Sequence, residues 1–192
     1  MIAIQEAQTA NQLDAQPNEI KSVALTTGVR LRYVEQGNPS GVPVVLLHGY
    51  TDSWRSWEPV LPYLPDSIHA FAPTQRGHGD ADRPEADYRA QNFAADMAAF
   101  MDALELDKAI IVGTSTGSIV AQRFAIDYRE RTRGLVLAAA ATSWRTPAVL
   151  DLWDMVSTLD DPIDPGFVRE FQGARSPNRF LWHLSIPSSR KV

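Results

Sequence analysis

The stretch "AIIVGTSTGSIVAQ", Ala109–Gln122, decides the fold. It opens on a continuous apolar run, Ala109-Ile110-Ile111-Val112, of the kind that forms a strand buried on both faces of a parallel sheet. It closes on an amphipathic helical pattern that begins at Thr116. Between them Gly113-Thr114-Ser115-Thr116-Gly117 matches G-x-S-x-G, the pattern of a nucleophile elbow. The physical demand behind that pattern is specific. A strand must turn sharply into a helix, which forces unusual backbone angles on the serine. Residues without side-chain bulk two positions before and after it keep the turn from clashing. The hydroxyl then projects beyond the sheet edge, and the N-terminus of the new helix faces incoming negative charge. Taken alone, five such residues also describe a strand-to-helix turn with a Ser or Thr cap. The buried strand before them and the amphipathic helix after them favour the elbow, with Ser115 as nucleophile.

Working outward, the same alternation recurs. "VPVVLLHG" (42–49) and "RGLVLAAAA" (133–141) read as further buried strands, and "IHAFAPTQRGHG" (68–79) as a short strand entering a glycine loop. "NFAADMAAFMDALEL" (92–106) places Phe93, Met97, Phe100, Met101 and Leu104 on one helical face. "SWEPVLPYL" (56–64) also has apolar residues at helical spacing. "IKSVALTT" and "VRLRYVEQG" (20–37), separated by Gly28, suit two antiparallel strands joined by a tight turn. Strands alternating with helices predict βαβ units around a mostly parallel sheet. The expected organisation is a loose lead-in over 1–19, an α/β core over 20–141, and a region over 142–192 that forms a partial helical lid and an atypical tail. In that last region "TPAVLDLWDMVSTL" (146–159) and "DPGFVREFQ" (164–172) read as helices with Pro147 and Pro165 near their starts.

Composition narrows the function classes. The chain has 192 residues, 44% hydrophobic and 21% charged, which suits a globular domain. A formal net charge of −5 argues against a nucleic-acid partner. With no cysteine, a disulfide, a thiolate nucleophile and a Cys-based metal site are all excluded. The N-terminus lacks a basic start with an apolar run, and no stretch nears the roughly 18 apolar residues of a membrane span. Together these predict a cytoplasmic protein with no membrane partner. Histidine is scarce and phosphate-cradling glycine loops are missing, so neither a metal nor an organic cofactor is expected.

Acyl transfer at a serine needs preorganised N–H donors for the oxyanion. The residue after the nucleophile, Thr116, is one candidate. Tyr50, in the loop "LLHGY" after an earlier strand, is the other. Both would donate through backbone. Trp54, Trp57, Trp144, Trp153 and Trp182 read as core or lid packing, with a pocket wall as the alternative.

Three segments, "VVLLHGYTDSW", "APTQRGHGDADRP" and "IIVGTSTGS", appear in an order and at a spacing that resemble the α/β-hydrolase superfamily, in its esterase-, lactonase- and dehalogenase-like branch. The resemblance spans roughly residues 20–141. Thr114, Ser118 and Ala81 depart from residues frequent in the family, at positions outside the catalytic set. Dehalogenase-like members use aspartate as nucleophile, so Ser115 points away from them and towards ester chemistry. The resemblance implies that His78 belongs to a structural loop. It also implies an acid and a histidine later in the chain. The residues after Ser115 contain a single histidine, His183, whose context "RFLWHLSIP" does not resemble the family's histidine loop. Asp151, Asp154, Asp160, Asp161 and Asp164 read as a solvated helix face or caps. The expectation is therefore an α/β-hydrolase fold that lacks its last strands, with the triad acid and histidine absent.

The function expected is a carboxylesterase-like serine hydrolase acting on a small ester or lactone, with impaired activity. The alternative is a non-catalytic domain of the same fold that binds a small hydrophobic ligand or a partner. An acyltransferase is a third reading. Sheet and lid surfaces left uncovered predict self-association through exposed apolar surface.

Overall fold

The computed structural model describes residues 18–140, 145, 147–160 and 163–175. The chain divides into two compact units, Met1–Thr142 and Ser143–Val192.

The first unit is built on a six-stranded sheet. Its strands are β1 (Lys21–Ala24), β2 (Arg30–Gly37), β3 (Val42–Leu47), β4 (Ile68–Pro73), β5 (Ala109–Thr114) and β6 (Thr132–Ala138), in spatial order β1-β2-β4-β3-β5-β6. The pairings β3–β4, β3–β5 and β5–β6 are parallel, while β1–β2 and β2–β4 are antiparallel. Gly28 takes φ 81° in the turn that joins β1 to β2. Two helices follow β4 and β5: α1 (Ala90–Ala103) and α2 (Thr116–Asp127).

The two-residue period of the strands sorts the core into two layers. From β3, Val45 and Leu47 join Leu31, Tyr33, Phe71 and Ile111 beneath Met97, Phe100 and Met101 of α1 and Val120 and Phe124 of α2. Val44 and Leu46 point the other way, joining Val34, Ala70, Ala72, Trp54 and Leu61. This is why "VVLL" is apolar throughout: both faces of a central strand are buried. Edge strand β6 differs, since Leu135, Val136 and Leu137 are 40%, 50% and 37% exposed.

The helical spacing of "SWEPVLPYL" does not become an α-helix. The segment forms two 3₁₀ turns, Trp54–Trp57 and Leu61–Tyr63. Pro59, Pro62 and Pro65 remove the backbone donors that a continuous ladder needs. Of the segment's apolar residues Leu61 is buried, Trp57 and Leu64 are half-buried against the same layer, and Val60 and Tyr63 are exposed, so the helical spacing does not describe the buried face either.

In the second unit, α3 (Pro147–Ser157) and α4 (Pro165–Arg175) each begin on proline, whose fixed φ and missing N–H suit the first turn. The Asp164 carboxylate accepts from the Gly166 N–H at 3.0 Å and so caps α4. Asp151, Asp154 and Asp160 are exposed. His183, Trp144, Trp182, Asp161, nearly all of the lead-in and most of the tail lie outside the described residues, as does the side chain of Trp153.

Candidate active site

Ser115 sits at the C-terminal end of β5, immediately before α2, with φ 51° and ψ −121°. That is the left-handed side of backbone space, which side chains avoid. The residue is exposed. Its N–H donates to the Ala138 carbonyl of β6 at 3.1 Å, and its carbonyl accepts from the Ser118 N–H at 3.0 Å and the Ser118 hydroxyl at 2.5 Å. The turn is thus held on both sides, and the unusual angles are imposed by its neighbours.

The two glycines of the motif are steric necessities. A Cβ on Gly113 would lie 2.3 Å from the Gly117 carbonyl oxygen. A Cβ on Gly117 would lie 2.5 Å from the carbonyl oxygens of both Leu47 and His48. The start of α2 therefore rests on the backbone of β3 and its following loop. That contact also brings the second predicted element to the first. β3 and β5 are parallel neighbours, with Leu47 paired to Gly113, so the loop beginning at His48 and the turn at Ser115 emerge at the same sheet edge. A Cβ on Gly49 would meet the Ser115 Cβ at 3.4 Å and its Oγ at 3.8 Å. Tyr50 follows directly and is 37% exposed. Thr116 is the first residue of α2. The structure therefore gathers all three predicted site residues, Ser115, Tyr50 and Thr116, at one place.

The three described histidines are each engaged. His48 is fully buried. Its Nε2 accepts from the Gln75 N–H at 2.9 Å, and its Nδ1 lies 2.8 Å from the Gly49 carbonyl oxygen. A backbone N–H can only donate and a carbonyl can only accept, so the ring is neutral with its proton on Nδ1. Burial, with a smaller contribution from neighbouring His78, pushes its pKa down to about 3, against the opposing pull of the Gly49 carbonyl. His69 Nε2 donates to Glu35 at 2.7 Å, and His78 Nδ1 donates to the Arg76 carbonyl at 2.9 Å. His78 packs edge-on to both His48 and Tyr50.

The loop "TQRGHG" after β4 is fixed by a buried ion pair. Arg76 Nε and Nη2 reach the two carboxylate oxygens of Asp96 on α1, each at 2.6 Å, and Thr27 donates to the same carboxylate at 2.6 Å. Hydrogen bonding to Asp96 raises the Arg76 pKa further, against the cost of burial. Sequence reasoning passed over Gln75, Arg76 and Asp96. The available signal was three polar residues, Thr74-Gln75-Arg76, following a strand whose residues are nearly all apolar; all three are buried.

An open cleft of about 460 Å³, lined by Pro39, Pro43, Lys108 and Arg133 among others, lies at the opposite end of β3 and β5, away from Ser115. Among the described residues no group of three His, Asp or Glu side chains is placed to hold a metal ion. No described helix is long and apolar enough to cross a membrane.

A mostly parallel sheet whose strand-to-helix turn presents a strained serine beside a histidine-glycine loop is the arrangement of the α/β-hydrolase fold, and that family's profile matches residues 42–191. The chain belongs to this family. Among curated relatives it is 36% identical over 114 residues to the soluble epoxide hydrolase of Corynebacterium sp. (strain C12), covering 59% of this chain and 39% of that protein. It is 36% identical over 126 residues to the 2-hydroxy-6-oxo-2,4-heptadienoate hydrolase of Pseudomonas putida (strain F1), covering 64% and 45%. The crystal structure of epoxide hydrolase A from Mycobacterium thermoresistibile superposes with a TM-score of 0.61 at 31% identity, over 71% of this chain and 45% of that one. The chain spans less than half the length of each of these proteins.

Proposed function

We propose that the protein is a serine hydrolase that attacks the carbonyl carbon of a small ester or lactone. Ser115 is the nucleophile, and the backbone N–H groups of Thr116 and Tyr50 are the oxyanion donors. The observation that carries this reading is the backbone of Ser115, held at φ 51° and ψ −121° where α2 begins, with Gly49 packed against its side chain. A strained, exposed serine beside a helix N-terminus has no structural purpose that a glycine would not serve better.

The nucleophile's chemistry favours carbonyl substrates over epoxides, although relatives of both kinds exist. A serine oxygen that opened an epoxide would form an ether. An ether offers water no carbonyl carbon to attack, so the enzyme would stay alkylated. At an ester or lactone the same oxygen forms a tetrahedral intermediate, expels the alcohol and leaves an acyl-enzyme. Water then adds to that acyl carbonyl and releases the acid. A ketone-bearing substrate, as in the name of the Pseudomonas relative, also offers a carbonyl carbon to attack, but its adduct gives an acyl-enzyme only where the C–C bond breaks and the departing carbon leaves as a stabilised carbanion that takes up a proton. Serine also needs a general base. His48 uses both ring nitrogens, on Gln75 and Gly49, while His69 bonds Glu35 through Nε2 and His78 bonds the Arg76 carbonyl through Nδ1. His183, outside the described residues, is the remaining histidine of the chain.

The test is labelling with a fluorophosphonate, with Ser115→Ala as control, followed by turnover of aryl and alkyl esters. Ser115-dependent labelling is expected. Labelling that survives Ser115→Ala would remove this reading. Ester binding without Ser115 labelling would favour a ligand-binding domain.

A further inference from the structure

We propose that His48 and Gln75 are positioning residues for the oxyanion donor. Together they fix the plane of the Gly49–Tyr50 peptide and so aim the Tyr50 N–H over the Ser115 hydroxyl. This rests on the functional reading above.

The Gly49 carbonyl and the Tyr50 N–H belong to one peptide unit. In a trans peptide they point in opposite directions. The Gly49 oxygen is held by His48 Nδ1–H at 2.8 Å and, more loosely, by the Asp52 N–H at 3.3 Å. Holding that oxygen turns the Tyr50 N–H away from the imidazole. The imidazole is in turn oriented from behind. Gln75 donates from its backbone to His48 Nε2 at 2.9 Å and from its side-chain amide to the His48 carbonyl at 3.0 Å. One residue of the β4 loop therefore grips both ends of one residue of the β3 loop. That same His48 carbonyl lies 2.5 Å from where a Cβ on Gly117 would stand, so the grip is continuous with the floor of the serine turn.

The arrangement works in a single protonation state. The Gln75 N–H on Nε2 leaves Nδ1 as the only site for the proton, and Nδ1 is the atom that must donate to Gly49. An imidazolium would place N–H against N–H at Nε2. His48 and Gln75 are 0% and 2% exposed, so water cannot substitute for either bond.

Two substitutions separate positioning from stability. In His48→Asn the amide nitrogen branches from Cγ where Nδ1 does. It can still donate to Gly49, while the Gln75 N–H is orphaned. In His48→Gln the amide reaches the Nε2 position. It can still accept from Gln75, while Gly49 loses its shorter donor and keeps only the looser Asp52 N–H. The readout is the maximal rate and the half-saturating concentration of Ser115 phosphonylation by a fluorophosphonate, whose P=O oxygen occupies the oxyanion position. His48→Gln is expected to slow the maximal rate by about 10²-fold, the scale of losing one oxyanion donor, with half-saturation little changed. His48→Asn is expected to keep most of the rate although it is the less stable protein. Rates that follow stability instead would reduce His48 to a packing residue and overturn the proposal. Wild-type rate in His48→Gln would overturn it alone, whereas labelling that no longer depends on Ser115 would overturn the functional reading with it. Nitrogen NMR of the wild-type protein provides a check independent of folding in any variant. His48 should carry its proton on Nδ1 and stay neutral down to about pH 4. A proton on Nε2 would refute the arrangement.

Discussion

Replacing Ser115 by glycine should make the protein more stable, and replacing it by alanine should not. The angles φ 51° and ψ −121° at Ser115 correspond to the first central position of a type II′ turn, the mirror image of about (−60°, +120°), where glycine is the preferred residue. A non-glycine residue held in such a sparsely populated region costs about 1–3 kcal/mol. Alanine keeps the Cβ and therefore the strain. Glycine removes it but frees the unfolded chain, which takes back about 0.4–1 kcal/mol. The balance is a gain of roughly 0.5–2 kcal/mol for Ser115→Gly over Ser115→Ala. For a chain of this size that is about 1–8 °C in Tm. Because Ser115 is exposed, loss of the hydroxyl itself should change stability little, so Ser115→Ala should unfold with the wild type. Urea unfolding followed by tryptophan fluorescence and far-UV circular dichroism measures the three proteins side by side, and fluorophosphonate labelling should vanish in both variants. Equal stability of the glycine and alanine variants, or lower stability for glycine, would show that the turn carries no strain. The argument from backbone to nucleophile would then fail.

Gly117→Ala should destabilise by about 3 kcal/mol and reduce labelling, since the new Cβ would press on two carbonyl oxygens of β3 and its loop that have nowhere to go; denaturant midpoints check this, and a near-neutral result would refute the close approach. Asp96→Ala should cost about 3–5 kcal/mol by leaving Arg76 charged, buried and unpaired, a loss seen equally in denaturant and thermal unfolding. His48 should make stability fall with acid: its folded pKa of about 3 lies below the ordinary histidine value, so the unfolded chain binds the extra proton. Its contribution is complete above about pH 6.5 and is lost towards pH 3 at up to about 1.4 kcal/mol per pH unit, a slope that His48→Asn should flatten. Glu35 is raised by burial but lowered more by its bonds to Lys21 and His69, so its net shift is downward; its stabilisation is present above the ordinary glutamate pKa and fades in acid, and Glu35→Gln should therefore be less stable than wild type at pH 7, with the gap closing as acid protonates Glu35 in the folded protein.

What the sequence made legible and what it hid divide along the range of the forces involved. Gly113, Ser115 and Gly117 could be read because their requirement is local: three residues on one turn, each fixed by sterics that any G-x-S-x-G must obey. The two-faced burial of β3 and β5 was legible for the same reason, as was the turn at Gly28. "SWEPVLPYL" misled because its apolar spacing took no account of Pro59 and Pro62 within it and Pro65 after it, which leave too few donors for a helix; once the helix is gone, Val60 and Tyr63 turn to solvent and Leu61 alone is fully buried. The Arg76–Asp96 pair and the grip of Gln75 on His48 were hidden because each joins elements 20 and 27 residues apart in sequence. No periodicity encodes a contact of that kind.

His48 illustrates how such hidden contacts change a functional reading. In the sequence it is a histidine next to a nucleophile motif's partner loop, in a chain short of histidines, and proximity alone would suggest a general base. Its surroundings rule that out. A base must accept a proton from the serine and hold it as an imidazolium, yet Nε2 already receives the Gln75 N–H and the cavity is closed to water. The same burial that disqualifies it as a base makes it a dependable strut, because a ring that cannot titrate near neutral pH keeps its tautomer as conditions change. Ser115, exposed and strained, and His48, buried and locked, stand at opposite extremes of environment within one sheet edge. Under the proposed function the first is the residue that reacts, and the second holds the donor that serves it.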